Sequence, residues 1–192
     1  MPTLYPYTQY GGIWKLNAAS AAIGAGTWPR SFSSGSLWSW GNNAYGQLGL
    51  SNTTYYSSPK QVGALITWFN IDANSTFSLA TKSDGTLWGW GKNGNGQLGL
   101  GNLTSYYSSP KQVGALTNWL NMAAGYWHGV AIKTDGTLWS WGRNDYGQLG
   151  QGNTTNLSSP KQVGALTTWS KIAAGFYNSL AIKTDGTLWS WG

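Results

Sequence analysis

Proton transfer at neutral pH calls for an imidazole, a displaced carboxyl or a thiol, and this chain has little of each. Its 192 residues include one histidine, His128, and five aspartates, with no glutamate and no cysteine. Three of the aspartates, Asp84, Asp135 and Asp185, stand in identical Asp-Gly-Thr strings, where Asp-Gly is a turn signal. Asp72 and Asp145 occupy positions that carry other residues in the sister strings. A histidine alone among uncharged neighbours reads as a packing or hydrogen-bonding residue rather than a general base. The missing cysteine excludes disulfides and thiolate metal sites, and no metal-ligand spacing occurs. The glycines at Gly94 and Gly96 lack the Lys-Ser/Thr ending of a phosphate loop. The reading is of a non-enzymatic chain, with no catalytic, cofactor-binding or metal-ligating residue and no cofactor.

Ring stacking is the chemistry the chain does have in quantity, with 14 tryptophans, 11 tyrosines and 4 phenylalanines. Most recur at fixed places. "DGTLWSWG" stands at 135–142 and 185–192, "DGTLWGWG" at 84–91 and "SGSLWSWG" at 34–41. "SSPKQVGAL" recurs unchanged at 57–65, 108–116 and 158–166. Trp40, Trp90, Trp141 and Trp191 are spaced 50, 51 and 50 residues apart. Where the repeats differ, aromatic residues again dominate. Ser75-Thr76 becomes Tyr126-Trp127 and then Phe176-Tyr177, while Tyr55-Tyr56 becomes Tyr106-Tyr107 and then Asn156-Leu157. Rings give large contact area at low entropic cost. Tyr126, Trp127, Phe176, Tyr177, Tyr55, Tyr56, Tyr106 and Tyr107 are therefore the candidate binding residues.

The elements that must position these rings are strands. Glycine-, serine-, threonine- and aromatic-rich composition with no glutamate disfavours long helices. In the last repeat, Trp169–Gly175, Ser179–Lys183 and Thr187–Gly192 read as three strands, with "TDG" as the hairpin turn between the last two. The segment around "PKQVGAL" is a fourth, with Pro160 at its edge. Four short antiparallel strands in each period of about 50 residues make a β-propeller blade. The fold class is thus all-β, with three complete repeats (37–86, 87–137 and 138–187) and the start of another at 188–192. In Trp-x-Trp the two rings point to one face of a strand, so Trp38, Trp40, Trp88, Trp90, Trp139, Trp141, Trp189 and Trp191 are expected to pack between blades. The glycine that follows each pair suits a sharp turn or a close backbone approach.

At "LWSWGRNDYGQLGQGNTTNLSSPKQV" and "WSKIAAGFYNSLAIKTDG" the chain closely resembles the repeat of the regulator of chromosome condensation family. That repeat runs from an aromatic-x-Trp-Gly through Asn-x-x-Gly-Gln-Leu-Gly and a proline to Ala-Ala-Gly-x-x-His-Ser-Leu-Ala-Leu. The resemblance covers about Leu37 to Gly192. The histidine of the pattern is His128 alone, with Phe77 and Asn178 in its place elsewhere. The resemblance implies a seven-bladed propeller. It does not choose a function, since members serve as exchange factors, photoreceptors and inhibitors. Propellers have about four to eight blades, so either the natural chain continues past Gly192, the favoured expectation, or copies associate to complete a ring.

Residues 1–36 lie outside the repeat and read as a capping or attachment segment, with a short strand at Trp14 to Leu16 and a short helix capped by Asn17. Their "GIW…GTWP" pattern resembles structural proteins of tailed phages. With a net charge of +6 spread thinly and no basic run, direct nucleic-acid binding is not expected. No apolar run of membrane length and no signal-peptide pattern is present. The functional expectation is a structural or adhesive virion protein of tail-fibre or decoration type, located on the virion, whose partners are other virion subunits or a host-surface receptor or glycan. The alternative is a soluble, cytoplasmic protein-interaction module that inhibits or regulates a partner protein.

Overall fold

The computed structural model describes residues 34–192. The chain divides into two units, Met1–Ser33 and Ser34–Gly192. The strand and helix expected around Trp14 and Asn17 lie outside the described residues.

The second unit is all-β, with thirteen strands in four antiparallel sheets. The first sheet pairs β1 (Trp38–Gly41) with β2 (Tyr56–Gln61). The second is the meander β3 (Trp68–Ala73), β4 (Phe77–Lys82), β5 (Leu87–Lys92) and β6 (Tyr106–Gln112). The third repeats it with β7 (Trp119–Ala124), β8 (His128–Lys133), β9 (Leu138–Gly142) and β10 (Leu157–Gln162). The fourth contains β11 (Trp169–Ala174), β12 (Ser179–Lys183) and β13 (Leu188–Trp191). The strands fall where the sequence places them, except that the strand built on Ser-Ser-Pro-Lys-Gln (β2, β6 and β10) ends at glutamine and the following Val-Gly-Ala-Leu forms the turn into the next sheet. A period counted from Leu37 therefore runs out of phase with the sheets, the second, third and fourth of which open on the isolated tryptophans Trp68, Trp119 and Trp169.

Successive sheets pack face to face, β4 on β7 and β8 on β11. Between the second and third sheets lie Phe77, Leu79, Leu98, Trp119, Met122 and Trp141. Ile132, Leu138, Trp169 and Ala181 form the next apolar layer. This explains the continuous burial of β4 and β8, each the second strand of its sheet and covered on both faces.

The two tryptophans of each pair have different tasks. The second reaches across to the preceding sheet: Trp90, Trp141 and Trp191 donate their indole N–H to the main-chain carbonyls of Gln47, Gln97 and Gln148 at 2.8–2.9 Å. The first bonds locally. Trp88 and Trp139 donate to Thr86 and Thr137 Oγ1 at 2.8 Å, and those hydroxyls donate to Asp84 and Asp135 Oδ1 at 2.6 Å. Asp-Gly-Thr-Leu-Trp is thus a hydrogen-bonded relay as well as a turn. Its Thr86 and Thr137 donors hold the two aspartates below the usual carboxylate range. Lys82 and Lys133 lie over the same first rings with Nζ 3.5 Å from the ring centroid, and burial pulls both lysines below their ordinary pKa. Trp38, Trp40 and Trp189, expected between blades, are 49%, 59% and 49% exposed because no described sheet covers their faces.

Candidate functional site

The site is built where the first turn of a sheet meets the loop after its third strand. Gly142, which closes the Trp-x-Trp string, has φ +101° and sits so close to the start of the paired strand β8 that a Cβ would lie 2.6 Å from the Trp127 carbonyl. The following residue, Arg143, donates its amide to that carbonyl at 2.9 Å. The chain path therefore delivers the Arg143 side chain onto Trp127, with the guanidinium carbon 4.2 Å from the ring centroid. In the preceding sheet the same path bonds the Lys92 amide to the Thr76 carbonyl at 2.9 Å. Lys92 Nζ lies 4.9 Å from the Tyr45 ring.

Four of the sequence-predicted binding residues come together here. Tyr126 stacks on Phe176 with centroids 3.9 Å apart and planes at 14°. Trp127 tilts against Tyr126, Phe176 and Tyr177 at 4.6, 5.9 and 6.0 Å. The amide of Tyr126 donates to the Gly175 carbonyl at 3.1 Å, which joins the equivalent turns of the third and fourth sheets. Two further residues complete the cluster. Tyr146, 56% exposed, packs on Tyr177 at 4.6 Å, and Arg143 Nε donates to Asp145 Oδ2 at 2.5 Å. Neither was singled out in the sequence as a binding residue, although both stand at variable positions, Asn42/Lys92/Arg143 and Tyr45/Asn95/Tyr146. Comparing the repeats one loop further along would have found them.

The other tyrosine set is placed apart. Tyr55 lies just before β2, Tyr56 opens it, and Tyr106 and Tyr107 open β6, both at the outer edges of their sheets. Tyr56 accepts from Asn52 Nδ2 at 3.3 Å, and Tyr107 donates to Asn102 Oδ1 at 3.4 Å. Among the described residues no ring contact joins them to the aromatic cluster.

His128 lies directly beneath this edge and is fully buried, with Nε2 2.9 Å from Ser179 Oγ. Ser179 Oγ itself donates to the Gln148 carbonyl at 2.9 Å, so the imidazole must present Nε2–H to it. Burial lowers the His128 pKa to about 4. A serine–histidine pair that is sealed from solvent, with its hydroxyl proton spent on a carbonyl, has no geometry for attack on a substrate. Among the described residues no group of three or more His, Cys, Asp or Glu side chains is placed to hold a metal, and no helix is long and apolar enough to cross a membrane.

Four-stranded antiparallel sheets stacked face to face are the blades of a β-propeller. The regulator of chromosome condensation (RCC1) repeat matches residues 34–80, 84–132 and 135–182, and the chain belongs to that repeat family. It is 32% identical over 123 residues to the human E3 ubiquitin-protein ligase HERC2, covering 62% of this chain and 2% of that one. A 30-residue stretch is 63% identical to the zebrafish (Danio rerio) RCC2 homolog, covering 16% of this chain and 6% of that protein. Among solved structures, yeast RCC1 (Prp20) bound to Kap60 superposes with TM-score 0.70 at 26% identity over 82% of this chain and 40% of the other. Human WBSCR16 gives 0.72 at 25% over 83% and 43%. The chain thus spans about two fifths of the solved propellers and a far smaller part of HERC2.

Proposed function

We propose that this chain is a non-catalytic protein-interaction module and that the edge carrying Tyr126, Trp127, Arg143, Tyr146, Phe176 and Tyr177 is its binding surface. The observation that carries this reading is the aromatic cluster itself. The sheets repeat nearly residue for residue, yet large rings accumulate at the variable turns of adjacent sheets and meet on the surface, Phe176 remaining 50% exposed. Clustered aromatic residues with an arginine are typical of binding hot spots. Relatives point the same way. Yeast RCC1 is solved in complex with Kap60, and Prp20p is described together with its binding to Gsp1p and histones. A photo-crosslinking residue at position 176 should join a discrete partner protein in extract from the source, and one at Thr184, at the opposite edge, should not. The purified partner should then bind wild-type protein and fail to bind Phe176→Ser/Tyr126→Ser. Equal labelling from both edges would defeat the reading.

A second reading, a structural or adhesive virion protein, rests on the phage-like pattern between Gly12 and Pro29, outside the described residues. It places the protein on virions rather than in the cytoplasm. Detection in purified particles, and not in particle-free cell extract, is the outcome it requires.

A further inference from the structure

We infer that Arg143 is the carboxylate-binding centre of the aromatic edge, and that the segment this edge receives is acidic, with aromatic residues beside its carboxylates. The inference rests on the proposed binding role of that edge and adds the chemistry of the partner.

Three observations carry it. The first is the state of the guanidinium. Arg143 lies on Trp127 at 4.2 Å and within 6.0 Å of the Tyr177 ring, while its Nε is held by Asp145. Its two terminal nitrogens have no partner among the described residues, and the side chain is 24% exposed. A guanidinium oriented by a ring and a carboxylate loses little freedom when its remaining N–H groups close on a second carboxylate, and that fork matches carboxylate geometry. The second is the distribution of charge. The three Asp-Gly turns at Asp84, Asp135 and Asp185 all lie at the opposite edge of the sheets. The aromatic edge has Lys92 and Arg143 at equivalent positions of adjacent sheets. Its acids are Asp145, already bonded to Arg143, and Asp72. Asp72, at the end of β3, accepts from the amides of Ala73 and Ala124 at 2.9 and 2.8 Å. The edge thus balances two cations against two carboxylates, and both carboxylates are already engaged, Asp145 by Arg143 and Asp72 by main-chain amides, which leaves the terminal nitrogens of Arg143 as the unspent charge a partner's carboxylate can meet. The third is the setting. Phe176 and Tyr146 are exposed rings on either side of the arginine's neighbours, so a residue flanking the bound carboxylate meets an aromatic face.

The test uses the full chain and a defined probe, the N-acetylated, C-amidated peptide Gly-Asp-Phe-Asp-Tyr-Asp-Gly, against the same peptide with asparagine for every aspartate. In calorimetric or anisotropy titrations the acidic peptide should bind about tenfold more tightly than its amide twin, and added salt should shrink the difference. Arg143→Gln should abolish the discrimination, Arg143→Lys should restore part of it, and Lys111→Gln on the outer strand β6 should leave it intact. Equal affinity of the two peptides for the wild-type protein overturns the inference without any variant having to fold. So does preferential binding of a neutral oligosaccharide. Crosslinking from position 176 together with equal peptide affinities would leave the edge as the binding surface and remove only the carboxylate assignment.

Discussion

His128 and Ser179 show how the repeats differ in pairs. Phe77, His128 and Asn178 are equivalent, as are Ser78, Gly129 and Ser179. His128 bonds to a serine of the next sheet. The sheet that follows Phe77 carries Gly129 at that place, where a Cβ would lie 2.5 Å from the Trp141 ring. By that equivalence the place of a phenylalanine corresponds to a glycine in the following sheet, and the place of the histidine to a hydroxyl. With a folded pKa of about 4 against an ordinary 6.5, the unfolded chain binds the extra proton between those values. The stabilisation is complete above pH 6.5 and is lost as pH falls toward 4, amounting to roughly 3 kcal/mol in all. Urea midpoints across that window should fall for the wild type. For His128→Phe/Ser179→Gly, which recreates the Phe77/Gly129 pairing, the midpoint should stay level over the same window. The three Asp-Gly-Thr aspartates act further down, since hydrogen bonds from Thr86, Thr137 and Thr187 lower them. Their stabilisation is lost as pH falls below the ordinary carboxylate range.

At the level of elements, the third strand joins one sheet to the next. Trp141 is fully buried and donates to the Gln97 carbonyl, whereas Trp139 is half-buried and bonds within its own hairpin. Trp141→Phe leaves a void and an unpaired carbonyl, and should cost about 2–4 kcal/mol. Trp139→Phe keeps most of its packing and should cost about 1 kcal/mol. Trp189→Phe, on a face no described sheet covers, should cost less still. Chemical denaturation monitored by circular dichroism separates the three. The period of two made both rings of a pair legible as one face of a strand. It did not reveal that they serve different partners. That depends on which atoms lie opposite each ring, and the Gln97 carbonyl is 44 residues away in sequence.

For the stack of sheets as a whole, stability follows the number of covered faces. In repeat architectures each unit depends chiefly on its nearest neighbours. The second and third sheets have a neighbour on both sides, and the first and fourth have one each among the described residues. Amide hydrogen exchange should therefore be slowest in β4 and β8 and fastest in β1 and β13, where Trp40 and Leu188 are 59% and 65% exposed. Slower exchange in β13 than in β8 would contradict this nearest-neighbour account. The same stacking produces the aromatic edge, because equivalent turns of adjacent sheets lie side by side and Tyr126 of one meets Phe176 of the next. The sequence by itself determined the strands, their antiparallel order and the blade type, since strand period, turn chemistry and repeat spacing are local properties of the chain. It also marked four of the ring residues, through their variability between repeats. Only the tertiary structure decided that Arg143 and Tyr146 join those rings while Tyr55, Tyr56, Tyr106 and Tyr107 stand apart. Their neighbours are set by sheet-on-sheet packing across some 50 residues of chain, a distance over which no local pattern carries information.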